Sequence, residues 1–92
     1  MNEYNREVLQ GLRATLKLYS DGPATSVEDL QHRLATTAGL LDRGADEIAR
    51  TLHSADADCE MLLFATPSDQ RRQQLRKLAQ ALQVKVDVAL TR

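Results

Sequence analysis

Tryptophan is absent, the aromatics are limited to Tyr4, Tyr19 and Phe64, and Cys59 is the only cysteine. A lone cysteine excludes an intramolecular disulfide, and three aromatics leave the packing of any core to aliphatic side chains. The longest uninterrupted apolar run, Met61-Leu62-Leu63-Phe64-Ala65, is far short of the roughly 20 residues that cross a bilayer as a helix. Neither sign of charge dominates, since 12 Lys plus Arg against 13 Asp plus Glu give a net charge of −1. No glycine-rich phosphate loop, metal-ligand spacing of known type or nucleophile constellation occurs either.

What is present is apolar enough to fold, with 42% hydrophobic and 27% charged residues in 92, which predicts a single small domain. The polar start Met1-Asn2-Glu3-Tyr4-Asn5 lacks the charged-then-apolar pattern of a secretory signal, so the expected location is cytoplasmic. A chain this short buries only about 60–65% of its unfolded surface, so a partner or a second copy would add noticeably to its stability. Charge is unevenly placed. Residues 1–67 carry 6 basic and 11 acidic side chains, net −5, and residues 68–92 carry 6 basic and 2 acidic, net +4. An acidic body with a basic tail can complement itself or offer unlike patches to two partners.

Apolar periodicity predicts an all-α bundle of about four helices, over approximately residues 3–19, 26–42, 45–65 and 67–83. Val8, Leu9, Leu12, Leu16 and Tyr19 form the first stripe, ended by Ser20-Asp21-Gly22-Pro23, where Gly22 suits a left-handed cap. Ser26 followed by Asp29 resembles a capping box at the start of the second helix, whose stripe is Val27, Leu30, Leu34, Thr37 or Ala38, and Leu41. In the third, Ile48, Leu52, Ala55, Cys59 and Leu62 fall within an arc of about 80° at 100° per residue. Thr66-Pro67-Ser68-Asp69 predicts a fourth start with Thr66 as cap, followed by Leu75, Leu78, Ala79 and Leu82.

Residues 84–90 leave two readings open. Val84, Val86, Val88 and Leu90 alternate with Lys85, Asp87 and Ala89, the period of a half-buried strand, yet Val86 and Ala89 also extend the helical stripe. A strand here would pair with 59–65 and make the fold α+β, with a C-terminal β-α-β unit.

Three groupings could carry chemistry. His53, Asp56 and Glu60 lie on adjoining turns of the third helix, but at 100° per residue they point about 130°, 70° and 110° away from its core direction, whereas metal ligands in a bundle point inward. Cys59 with His53 or His32 could form a thiol and its base. A lone cysteine on an apolar stripe is more often a small buried hydrophobe. Ser26 and Ser68 are explained as cap and turn residues. The expectation is a protein without catalytic, cofactor or metal residues.

Residues 34–50 resemble the middle of a helix-turn-helix, with Ala35 four residues before Gly39. The second helix of that motif would present Asp42, Asp46 and Glu47 to phosphates, with only Arg43 and Arg50 as cations, which opposes docking on DNA. The basic stretch Arg71, Arg72, Arg76 and Lys77 has no interleaved aromatics for base stacking and suits an acidic partner better. The favoured reading is a non-enzymatic, bacterial-type protein-binding module of the inhibitor, immunity or chaperone kind. It would cover a basic surface, such as that of a toxin or effector, with Asp46, Glu47, Asp56, Asp58 and Glu60. A homodimer is compatible with this reading; the alternatives are a small dimeric helix-turn-helix DNA-binding regulator and a self-assembling structural or chaperone subunit.

Overall fold

A computed structural model describes residues 1–92 as four helices: α1 (Glu3–Ser20), α2 (Val27–Leu40), α3 (Asp46–Phe64) and α4 (Ser68–Thr91). Each helix buries most of the stripe its sequence predicts; Leu41 and Leu78 are half-buried against the core, and Val8 is half-buried outside it. Leu9, Leu12, Leu16 and Tyr19 of α1 meet Leu30 and Leu34 of α2, Leu52 and Cys59 of α3, and Leu75, Leu82 and Val86 of α4 in one cluster of 20 buried residues. α1 lies mainly against α4, and α2 mainly against α3.

Hydrogen bonds between helices fix the topology as up-down-up-down. Gln31 Nε2 donates to Glu60 Oε1 at 2.6 Å, joining the first half of α2 to the end of α3. At a right-angle crossing these residues, about 14 and 21 Å from the intervening turn, would stand about 25 Å apart. α2 and α3 therefore form an antiparallel hairpin. Gly39, which a helix-turn-helix would place in its turn, lies inside α2, and the connection is Leu41–Ala45. An antiparallel hairpin differs from the near-perpendicular helix pair of a helix-turn-helix.

The C-terminal segment is helix: of the two readings left open for 84–90, continuation of the fourth helix is the one found, to Thr91, and the strand with its β-α-β unit is not. Leu82, Val86, Ala89 and Leu90 recur at helical spacing and are buried, whereas Val84 and Val88 face water. The apparent alternation arose because two outward valines fell between inward residues.

Two caps also differ from expectation. Pro67, not Thr66, occupies the N-cap of α4, and the Thr66 hydroxyl instead donates back to the Met61 carbonyl at 3.3 Å. Gly22 does not adopt a left-handed conformation; Gly44 is the glycine with positive φ, at 92°. Gly22 is required for space, because a Cβ there would sit 2.8 Å from the Leu18 carbonyl oxygen. Ser26 caps α2 as predicted, accepting from the Asp29 N–H at 3.2 Å.

Residues distant in sequence finish several helix ends. Arg71 Nε donates to the Leu62 carbonyl at 2.9 Å, and its Nη2 reaches the carbonyls of Leu63 and Thr66, satisfying the end of α3. Arg6 Nη1 donates to the Leu90 carbonyl at 2.6 Å and does the same for α4. Asn5, fully buried, pins the α2–α3 connection onto α1. Its Oδ1 accepts from the Asp42 N–H at 2.8 Å, and its Nδ2 donates to the carbonyls of Asp42 and Arg43 at 3.3 and 3.2 Å. No helix is long and apolar enough to cross a membrane.

Candidate functional site

The five acidic residues singled out in the sequence all lie on α3, but the helix distributes them around its circumference. At 100° per residue, Asp56 and Glu60 stand about 70° and 110° to one side of the core direction, while Asp58 and Glu47 stand about 90° and 110° to the other. Asp46 points about 150° from the core. The bonds agree with this division. Glu60 meets Gln31 of α2, whereas Glu47 Oε2 pairs with Arg92 Nη1 at the end of α4, at 3.0 Å.

The structure thus makes two surfaces from one cluster. On the α2/α3 side, Asp56 and Glu60 have no cation within 4.0 Å; the ion pairs of the molecule are Arg13–Asp87 and Arg92–Glu47. Glu28, in the first turn of α2, projects toward this side by its helical position and adds a third unpaired carboxylate. On the α3/α4 side, acidic and basic walls face each other across a shallow trough. One part, about 300 Å³, is lined by Met1, Ile48, Thr51, Val84, Val88 and Arg92. A second, about 360 Å³, continues past Ser54, Asp58, Leu78, Ala81 and Lys85. The trough exists because small side chains, Ser54, Ala55 and Ala81, line it where bulky ones would fill the space between the helices.

Exposed apolar residues mark the same face. Val84, 62% exposed, and Val88 line the trough, and Met61, 61% exposed, points outward on the same side of α3; Phe64, 83% exposed, points about 150° from the core on the α2 side. Sequence reasoning assigned Met61 and Phe64 to an apolar run and Val84 to an ambiguous strand. Placing them on a 100° wheel with Ser54, Ala57, Ala81 and Val88 would have revealed a second stripe outside the core on each helix.

Cys59 is fully buried among the core residues. Burial above all, and then the carboxylates of Asp56, Asp58 and Glu60, push its thiol up to about 12. The thiol stays protonated at neutral pH and is no nucleophile there. His32 and His53 are both exposed, and neither hydrogen-bonds it. No group of three or more His, Cys, Asp or Glu side chains is gathered so as to share a metal ion, and His53, Asp56 and Glu60 remain on the outward sides of α3.

The thiol makes folding pH-dependent with a defined sign. A folded value raised from 9.0 to about 12 means that the folded state holds the proton more tightly. The contribution is fully present below pH 9 and is lost as pH rises from 9 toward 12. Tyr19, whose phenol is also raised by burial and by Asp29, acts in the same direction above its ordinary value of 10.0. Unfolding midpoints in urea should therefore fall between pH 8 and pH 10.5, and Cys59→Ala should flatten that fall. An equal fall in wild type and variant would show that the thiol does not contribute.

Comparison with known proteins gives no relative from which a role could be carried over: no family model, curated protein or solved structure matches the chain.

Proposed function

We propose that this chain is a protein-binding module that covers a basic surface of another protein with the acidic α2/α3 side, as an inhibitor-, immunity- or chaperone-like partner. The observation that supports this reading is the set of unpaired carboxylates on that side. Asp56 and Glu60 are solvent-accessible and unneutralised, although the chain carries 12 cationic side chains. Unpaired like charges on a rigid helix pair repel each other and gain most when a partner brings the opposite charge. The Gln31 amide donates to Glu60 and leaves its charge in place, so the carboxylate is held in position without being cancelled.

The division of the cluster makes the test specific. The tagged protein should retain a stoichiometric partner from its native host at low ionic strength, after nuclease treatment, and release it as salt rises. Asp56→Lys with Glu60→Lys should abolish retention, and Asp58→Lys alone should weaken it little. Loss of the partner only with Asp58→Lys would overturn the choice of face. Retention that survives the double reversal, or bound material removed by nuclease, would overturn the reading itself.

A further inference from the structure

We propose that the α3/α4 face docks a second copy of this chain, with each copy's α3 lying antiparallel over the other's α4 about a two-fold axis parallel to the helices. This interface goes beyond the proposed function and uses the opposite side of α3, so the two can fail separately.

Of eight large hydrophobic residues left exposed, four lie on this face: Met1, Val84 and Val88 line the trough, and Met61 points outward beside it. Isolated exposed apolar residues are ordinary, but a grouped set beside a trough marks an association surface.

The chain itself supplies the complement. The Arg92–Glu47 pair shows that the end of α4 and the start of α3 are level. Rotation about an axis parallel to the helices exchanges α3 with α4 and keeps every residue at its height along the bundle. At 1.5 Å per residue from that pair, Val84 lies about 12 Å up and meets the partner's Ser54 at about 10.5 Å. Ala81 at about 16.5 Å meets the partner's Ala57 at about 15 Å, so α4's apolar residues land on α3's small ones.

Charge selects this axis over the alternative. Lys77, at about 22.5 Å, lies within side-chain reach of the partner's Asp58 at about 16.5 Å, and the pair occurs twice in a symmetric dimer. Arg50 falls level with the partner's Val88, where its aliphatic stem covers the valine. A two-fold perpendicular to the helices would instead bring α4 onto an antiparallel α4, and with the axis level with Ala81 each Lys77 would face the partner's Lys85. The net charge of −1 leaves no long-range repulsion between two copies.

The available face is modest. Two helices about 30 Å long and about 10 Å apart offer on the order of 600 Å² per copy, somewhat below the roughly 800 Å² per partner of a standard interface. A face of that size suits a reversible dimer rather than an obligate one.

Sedimentation equilibrium of the purified protein tests this without any other partner. Over about 5 to 500 µM, a range chosen to bracket a micromolar association, the mass should climb from 10.3 kDa toward twice that value. Val84→Asp should weaken association about 100-fold or more, because each dimer then buries two unpaired carboxylates. Its helical circular dichroism should not change, since Val84 faces water in the single copy. Lys77→Glu should weaken association about 10-fold, and Asp58→Lys added to the same chain should restore it. A mass that stays at 10.3 kDa throughout, a dimer indifferent to Val84→Asp, or a charge swap that fails to restore association would each overturn the proposal.

Discussion

Asn5→Ala is expected to destabilise the fold by about 3 kcal/mol, lowering the melting temperature of a domain this size by roughly 12–24 °C. Asn5 is the polar side chain on which the entry to α3 depends. It is fully buried in α1 and holds both directions of the peptide groups at Asp42 and Arg43, 37 and 38 residues away. Truncation leaves the Asp42 N–H and two carbonyls without their partner and opens a small cavity beneath the connection. Asn5→Asp separates the causes. It keeps the acceptor for the Asp42 N–H and loses the amide donors, bringing a carboxylate against two carbonyl oxygens. That variant should be more stable at pH 4, where a protonated carboxyl can donate, than at pH 7 when each is referenced to wild type. Thermal melts followed by circular dichroism at both pH values check this, and a loss below about 1 kcal/mol in Asn5→Ala would show that water replaces the amide at no great cost.

Leu52→Ala should cost about 3–4 kcal/mol, within the range of leucine truncations that leave an unfilled cavity. Leu52 is completely buried in the middle of α3, inside the single core cluster. Because the three aromatics contribute only Tyr19 to that core, leucine is its principal space-filling residue. Leu18→Ala is the matched control. Leu18 is 54% exposed on α1, so the same chemical change there should fall within about 0.5 kcal/mol of zero. Urea unfolding of both variants gives the comparison. A Leu52→Ala loss no larger than that of Leu18→Ala would mean that the core is loosely packed.

The helical stripes were legible because each carries its apolar residues at steps of three and four, as Ile48, Leu52, Ala55, Cys59 and Leu62 do. Residues 84–90 were ambiguous for a physical reason. Val84 and Val88 are apolar yet face outward, so hydrophobicity alone could not separate the buried stripe of α4 from its exposed one. The hold of Asn5 on the α2–α3 connection was invisible, since nothing local to Asn5 announces a partner 37 residues away. Ser26, whose capping bond is local, was read correctly, whereas Thr66 was displaced by one residue when Pro67 took the cap position. The acidic residues were legible as a composition and not as a surface. Asp56 and Asp58 are two residues apart, about 200° on a helix, and so were bound to part company once α3 formed.

The pairing of α1 with α4 has a consequence for how the chain is made. The α2–α3 hairpin closes through a short connection and can form as soon as both helices exist, but the hydrogen bond from Arg6 to Leu90 spans 84 residues. At roughly 5–20 residues per second, α1 leaves the ribosome several seconds before its main neighbour has been synthesised. During that interval Leu9, Leu12 and Leu16 lack their final cover, and the nascent chain is most open to chaperones and to aggregation. Of the four helices, α4 is translated last, and it is the one that closes the bundle.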